Sequence, residues 1–216
     1  EEGMQKVPLN HPKIRPQFAI LNPRYTFTLP KYQMVAGFYD IFNHITEQYF
    51  SGEDDSTSDY IAEGLMRSLV HSSRIAVKNP EDYEARSNIM WCAAIGLNTV
   101  TGLAKEQDWE VHMIEHQLGA YTDCAHGAGL AAISIPYYKY ISPYGLDKFV
   151  RFANNVWEIP TDTMTKEDAA NAGIEKLTAF IEELGLPQTL RELGATEAML
   201  PLIANSTVQG GGYKHM

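Results

Sequence analysis

Cysteine is scarce in this chain, which contains only Cys92 and Cys124 among its 216 residues. Two cysteines cannot build the disulfide framework of a small secreted domain, and a reduced pair fits the cytosol. Cys124 lies two residues before His126, a spacing that would strain the two side chains if both bound one metal ion. We therefore interpret both cysteines as free thiols outside any metal site.

Basic side chains, long apolar runs and a signal peptide are also lacking. The chain has 17 Lys and Arg against 27 Asp and Glu, which gives a net charge of −10. Nucleic acids and anionic membranes bind basic surfaces, so this balance argues against both as partners. No apolar run reaches the roughly 18 residues of a membrane span, and the first residues have no apolar core typical of a signal peptide. These features predict a soluble, cytoplasmic protein.

Two motifs that would indicate other chemistry are absent as well. No glycine-rich loop stands between a predicted strand and a helix, as the phosphates of a bound nucleotide would require. The glycine triplet at residues 210–212 follows a helix and precedes none, so we interpret it as a flexible loop. No histidine is followed by aspartate, which argues against a helical metal-dependent phosphohydrolase, because that class usually has such a doublet.

What the chain does contain is apolar residues at helical spacing, and 44% of its residues are hydrophobic, enough for a sizeable core. Pro30 precedes one periodic segment, and a Ser and an Asp precede the next, as is typical of helix starts. We predict an all-α, multi-helix bundle-like domain of roughly eight helices over residues 31–216. A long helix over Tyr83–Leu103 is predicted to form its core.

Residues 1–30 differ in composition from the rest, since proline and polar residues dominate their first half. We predict an extended lead-in that contains one short strand at residues 17–21, which ends at the turn signal Asn22-Pro23.

Histidine is concentrated in one segment, because three of the seven lie between His112 and His126. His112 and His116 are four residues apart and share a helix face, and His126 follows after a break. Asp40 and His44 repeat the four-residue spacing in another predicted helix. One such pair is more often two surface or core side chains. Two pairs that face each other would instead form a cage for a divalent metal ion.

These residues also carry a family resemblance. The Asp40/His44 pair, the spacing of the three later histidines, the doublet His126-Gly127 and the segments FAILNPRYTFTLP and EQYF resemble the iron-containing (group III) alcohol dehydrogenases of the butanol dehydrogenase type. The resemblance covers nearly the whole chain. It implies a helical C-terminal domain that carries the metal, normally preceded by an N-terminal α/β domain that binds NAD(P). That nucleotide-binding domain is not among these residues.

The resemblance further implies the role of each site residue. The metal ligands would be Asp40, His44, His112 and His126, and one coordination position would stay open for substrate. His116 would lie beside the nicotinamide and relay a proton, with a role as fifth ligand as the alternative. Fe²⁺ is the implied metal, although Zn²⁺ and other divalent ions accept the same ligands.

The implied activity is that of an NAD(P)-dependent alcohol dehydrogenase or aldehyde reductase. Its divalent metal would polarise the alcohol or carbonyl oxygen for hydride transfer with nicotinamide. The substrate would be a small aliphatic alcohol or aldehyde, with Phe38, Phe42 and Tyr121 as candidate pocket side chains. A homodimer is expected, and these residues alone are expected to be inactive. A non-catalytic helical interaction domain is the other alternative, but it does not explain the two four-residue pairs.

Overall fold

Helices make up all the regular structure in the part of the chain that the computed structural model describes, residues 6, 8–9, 11–52, 56–103 and 105–209. Short 3-10 turns lie between and beside the α-helices. The all-α prediction with roughly eight helices is confirmed within these residues. The α-helices are α1 (Lys31–Tyr49), α2 (Thr57–Lys78), α3 (Tyr83–Gly96), α4 (Glu110–Thr122), α5 (His126–Ile141), α6 (Leu146–Asn155), α7 (Lys166–Leu184) and α8 (Leu200–Gln209).

The central element is α1, which packs against α2, α3 and α5. It is apolar on most of its surface, and a helix with this pattern belongs in a core. Phe42, at the middle of α1, is fully buried. The centroid of its ring lies 5.6 Å from that of the Phe180 ring and 6.1 Å from that of the Trp157 ring. The same helix carries Asp40 and His44 on another face. Two candidate ligands are therefore held by a largely buried helix that packs against three others.

Local signals account for several helix ends. Asn22 and Pro30 precede the 3-10 turn and α1, and Ser56 forms a capping box with Asp59 at the start of α2. The α7 helix ends at Gly185, which adopts a positive φ of 71° as a left-handed cap requires. None of the helices in the described residues is long and apolar enough to cross a membrane.

The joint between α4 and α5 brings the histidines back towards α1. Asp123 caps α4 in the left-handed conformation, with φ of 53°, and the chain reverses so that His126 begins α5. Gly127, in the first turn of α5, touches α1 so closely that a β-carbon there would overlap the carbonyl oxygen of Ala36. Because glycine lacks that atom, the start of α5 can approach α1 at close range.

A buried cluster of charged side chains joins α2, the loop before α4 and α6. Asp59 of α2 is fully buried and accepts hydrogen bonds from the ammonium groups of Lys105 and Lys148, the latter at 2.8 Å. Lys105 lies in the loop before α4, and Lys148 lies in α6. One carboxylate therefore joins three parts of the chain that are distant in sequence.

Two predictions about individual elements were wrong. The strand at residues 17–21 does not form within the described residues, where this segment has no regular secondary structure and its apolar side chains Phe18 and Ile20 are exposed. A strand is stable only when another strand pairs with it, and none does so here. The long helix predicted over Tyr83–Leu103 ends at Gly96, and its Trp91 is 59% exposed, so α1 and not α3 forms the core. The glycine triplet at residues 210–212 lies outside the described residues.

Candidate metal centre

The predicted ligand residues converge between α1 and the α4–α5 joint. Asp40 Oδ1 lies 3.6 Å from Nε2 of His112 and 3.6 Å from Nε2 of His126. The rings of His44 and His112 are 4.5 Å apart between centroids, and those of His112 and His126 are 5.1 Å apart. The structure thus brings all four side chains around one point. Asp40, His44 and His112 also satisfy a geometric criterion for a shared ion, with ligand atoms within 4.8 Å of one another.

Each of the three histidines has its Nδ1 atom occupied by an acceptor. His44 Nδ1 donates to the backbone carbonyl of Asp40 at 2.8 Å, His112 Nδ1 contacts the carboxylate of Glu47, and His126 Nδ1 contacts that of Glu115. An Nδ1 that donates a proton leaves the Nε2 lone pair free in the neutral ring. In their neutral forms, His112 and His126 therefore direct an unprotonated Nε2 towards Asp40 Oδ1.

The atoms around this point fit a divalent ion. Asp40 Oδ1 and His112 Nε2 are buried and have no hydrogen-bond partner among the described residues, although buried polar atoms rarely lack one. Two ligand atoms bound to one tetrahedral ion at about 2.1 Å lie about 3.4 Å apart, close to the 3.6 Å observed between Asp40 Oδ1 and the two Nε2 atoms. One carboxylate and three imidazoles suit Fe²⁺ and Zn²⁺ alike.

The electrostatics of the cluster favour cations. Burial acts to raise the pKa of Asp40, but His112 and the charges of the other histidines outweigh it, so this pKa lies below its usual value. Burial acts to lower the pKa of His112, yet its contacts with Asp40 and Glu47 raise it to about 9. For His44, burial dominates and lowers the pKa to about 4. Without metal, the ring of His112 is therefore protonated on both nitrogens at neutral pH, and metal binding would release one of these protons.

His116 is adjacent to the cage and differs from the other three histidines. Its ring stacks on that of His126 at 5.5 Å, and it forms a second possible ligand group with Glu115 and His126. Burial lowers its pKa to about 4, and its Nδ1 is buried without a hydrogen-bond partner among the described residues. Because this Nδ1 has no hydrogen-bond partner in the described part of the chain, it can exchange a proton, as a proton carrier must.

Sequence reasoning missed three residues of the site. Glu47 and Glu115 are the buried carboxylates that hold His112 and His126, and Trp109 lies edge-on to the rings of His44 and His112. A signal for Glu47 was present in the sequence, because it follows His44 by three residues and shares its helix face. Glu115 gave none, since it precedes a histidine in the chain and contacts a different one across the α4–α5 joint.

Two of the candidate pocket residues are buried within the domain. Phe38 and Phe42 are buried, the first under the guanidinium of Arg86 and the second in the aromatic core. They face the interior of the domain because α1 is apolar on several sides, and sequence spacing alone does not say which apolar side meets a cavity. Tyr121 is partly buried and packs against the core.

Comparison with known proteins places the chain that carries this site in a family. The family described as Fe-containing alcohol dehydrogenase family, C-terminal, matches residues 34–214. The chain is 38% identical over 213 residues to NADH-dependent butanol dehydrogenase A of Clostridium acetobutylicum, covering 98% of this chain and 54% of that protein. It is 32% identical over 199 residues to the NADPH-dependent aldehyde reductase YqhD of Escherichia coli, covering 92% of this chain and 51% of that protein.

A solved structure agrees with these matches. NADH-dependent butanol dehydrogenase A from Thermotoga maritima superposes with a TM-score of 0.88 at 33% identity, over 93% of this chain and 50% of that one. The chain spans about half the length of the curated relatives it matches. The match covers every helix from α1 to α8, including all the histidines of the cage. The chain therefore belongs to the iron-containing alcohol dehydrogenase family and contains its C-terminal part.

Proposed function

We propose that this chain is the catalytic-metal domain of an NAD(P)-dependent alcohol dehydrogenase or aldehyde reductase, with Asp40, His44, His112 and His126 as the metal ligands. The observation that carries the proposal is the convergence of the Nε2 atoms of His112 and His126 on Asp40 Oδ1, with the ring of His44 beside them. The proposed division of the chain is an extended lead-in at residues 1–30 and a helical metal-binding domain at residues 31–216.

The metal, Fe²⁺ by family and Zn²⁺ by the same ligand chemistry, would supply Lewis acidity that polarises an alcohol or carbonyl oxygen for hydride transfer. The chain supplies the rest. The rigid helix α1 and the two carboxylates hold the imidazoles in place, so little reorganisation is needed during the reaction. The ring of Trp109 beside His44 and His112 forms an apolar wall, which keeps water from that side of the site.

His116 is proposed as the proton carrier. Oxidation of an alcohol releases its hydroxyl proton, and reduction of an aldehyde takes one up. Burial lowers the pKa of His116 to about 4, so its ring is neutral at pH 7 and would pass a proton on rather than retain it. Its Nδ1 has no fixed partner among the described residues, and it lies next to His126 at the edge of the cage.

The substrate and cofactor are proposed from the relatives' names. A butanol dehydrogenase and an aldehyde reductase both indicate small aliphatic alcohols and aldehydes. Their printed cofactors are NADH in one and NADPH in the other, so we propose a nicotinamide dinucleotide held by an N-terminal nucleotide-binding domain of the same enzyme. A homodimer belongs to the same proposal, and light scattering of the intact enzyme would test it.

The cytoplasm is the proposed compartment. Both cysteines are free thiols, Cys92 buried and Cys124 partly buried. Reduced thiols are typical of cytosolic proteins, whereas secreted proteins usually pair theirs. Fractionation of the source cells should recover the protein with cytosolic markers, and its recovery with exported proteins would contradict the assignment.

Metal analysis tests the ligand set directly. The purified chain, prepared without chelator and loaded anaerobically with Fe²⁺ or with Zn²⁺, should hold about one ion per chain because one cage is present. His126→Ala should lose most of it, since removal of a ligand weakens binding by orders of magnitude. His71→Ala, which changes an exposed histidine of α2, is the matched control and should retain full metal. Equal metal in all three proteins would exclude the proposed cage.

A further inference from the structure

Glu47 is a buried carboxylate, and each of its two oxygens has two polar contacts. Oε1 accepts from the backbone N–H of Val111 at 2.7 Å and of His112 at 3.3 Å. Oε2 accepts from the side-chain amide of Asn43 at 2.8 Å and contacts Nδ1 of the His112 ring. The side chain is nearly inaccessible to solvent. A buried carboxylate depends on protein groups for its hydrogen bonds, so these four contacts fix the position of the Glu47 side chain.

Two of these contacts place Glu47 at the start of α4. Val111 and His112 are the second and third residues of that helix, and their N–H groups lack partners within the helix. Trp109, the residue before the helix, provides no side-chain cap. Glu47 therefore caps α4 from α1 and places a negative charge at the positive end of the helix dipole.

The contact with the His112 ring goes beyond helix capping. A carboxylate cannot donate a proton, so the proton of the neutral ring is held on Nδ1 and the lone pair on Nε2. Nε2 is the atom that faces Asp40 Oδ1, at 3.6 Å. Glu47 thus fixes the backbone of His112, the rotation of its ring and its tautomer at the same time.

We infer that Glu47 is a positioning residue for the metal centre, which holds His112 in the tautomer that can bind a metal ion and thereby sets the metal affinity. The inference rests on the proposed ligand set. Outer carboxylates that hold a ligating histidine typically change metal affinity by about 10- to 100-fold when they are removed. Neither the spacing of the ligands nor the family assignment attributes this role to Glu47.

Glu47→Gln is the critical variant, because it keeps the shape and changes the hydrogen bonding. If the new amide N–H₂ group faces His112, it donates to Nδ1 and drives the ring proton to Nε2, where it blocks the lone pair. We expect about 10- to 100-fold weaker Zn²⁺ binding, measured by competition with a chromophoric chelator. We also expect an altered visible spectrum for the Co²⁺-loaded protein, which a change in helix capping alone would not produce.

Glu63→Gln is the matched control. Glu63 is another buried carboxylate, on α2, which accepts from Tyr49 Oη at 2.9 Å and contacts Arg151 but no histidine. This variant should lose stability in denaturant unfolding and keep the Zn²⁺ affinity and Co²⁺ spectrum of the unchanged chain. If Glu47→Gln behaves in the same way, with reduced stability and unchanged Zn²⁺ affinity, Glu47 is only a helix cap and the inference is overturned.

A measurement on the unchanged chain does not depend on whether any variant folds. Nitrogen-15 chemical shifts of the Zn²⁺-loaded protein distinguish metal-bound from protonated ring nitrogens. For His112 we expect zinc on Nε2 and a proton on Nδ1, and zinc on Nδ1 would overturn the inference. If the unchanged chain binds no Zn²⁺ at all, the proposed function fails first, so the two failures remain distinguishable.

Discussion

At the scale of single residues, His116 shares a helix face with a proposed ligand, and the role proposed for it is a different one. His116→Ala should retain the metal, because the four other side chains remain in place. In the enzyme that includes the nucleotide-binding domain, it should lower turnover and change the pH profile, since the proton carrier is removed. Steady-state kinetics and metal analysis would be run beside His112→Ala. If His116→Ala lost as much metal as that variant, His116 would be a ligand.

Asp59 gives a prediction about stability and pH. Burial acts to raise the pKa of Asp59, but the hydrogen bonds from Lys105 and Lys148 outweigh it and hold the folded-state pKa below the usual value. The stabilisation is therefore complete above the unfolded-state pKa of about 3.9 and is lost as pH falls through the lower folded-state value. Asp59→Asn should cost about 3 to 5 kcal/mol near neutral pH, because two buried lysines lose their counter-charge.

Urea unfolding across pH would check this. The unchanged chain should lose stability below about pH 4, and Asp59→Asn should lack that part of the acid dependence. Asp147→Asn, which removes a carboxylate from an exposed pair with Lys166, is the control and should change stability by less than about 1 kcal/mol. A similar small loss for Asp59→Asn would show that the buried cluster does not stabilise the fold.

The candidate ligands could be predicted from the sequence, but the side chains that hold them in place could not. Four-residue spacing identified Asp40 with His44 and His112 with His116, because helix geometry is local. Glu115 contacts His126 only after the chain reverses between α4 and α5. The spacing of Phe42 along the sequence is compatible with a pocket position and with a core position. It is fully buried because of the helices that cover α1. Contacts of this kind depend on packing, which single-chain periodicity does not contain.

At the scale of helices, the contact between α1 and α5 sets the position of His126. Gly127→Ala adds a β-carbon where the carbonyl oxygen of Ala36 already lies, so α5 must move away from α1. We expect a loss of about 1 to 3 kcal/mol in stability, as for overpacked sites, together with weaker metal binding because His126 moves with the helix. Denaturant unfolding and chelator competition would measure the two effects.

Gly37→Ala is the control for this change. Gly37 lies within α1, and a β-carbon there would meet no heavy atom within 4 Å. Alanine is the better helix former, so this variant should be neutral or more stable by about 0.5 to 1 kcal/mol, with unchanged metal affinity. A Gly127→Ala protein with normal stability and metal affinity would show that the helix crossing tolerates the added atom.

Helix starts were more predictable than helix lengths. Caps such as Ser56 with Asp59 act through neighbouring residues, so the start of α2 followed from sequence. The end of α3 did not, because its apolar pattern continues past Gly96 while the chain turns through Thr99, which has a positive φ of 84°. The segment at residues 17–21 had strand composition but no paired strand in the described residues. A strand needs a second strand to pair with, and local composition does not encode one.

At the scale of the whole molecule, hydride transfer requires a nicotinamide near the metal centre. The described residues contain no strand, glycine-rich turn and helix in the order that binds a pyrophosphate. Residues 1–216 alone should therefore not bind NADH or NADPH at micromolar concentration, while the same residues joined to a nucleotide-binding domain should bind one of them and reduce butyraldehyde. Absorbance of the reduced nicotinamide would follow the reaction.

Each outcome of that experiment is informative. Turnover by residues 1–216 alone would reveal a cofactor site within the helical domain. An inactive enzyme that contains both domains and a full complement of metal would contradict the dehydrogenase proposal. His71→Ala in the two-domain enzyme is the control, since this exposed side chain on α2 lies outside the proposed ligand set.

The distribution of the proposed ligands along the chain has a consequence in polymer terms. His44 and His112 are about 70 residues apart, and bringing the ends of a flexible loop of that length together costs roughly 4 kcal/mol of chain entropy. In the folded domain, the packing of α5 on α1 and of α4 on α5 has already closed this loop. An unfolded chain has no such closure and would have to lose that entropy to hold an ion. Metal uptake should therefore follow folding, and separation of α1 from α5 during unfolding should release the ion.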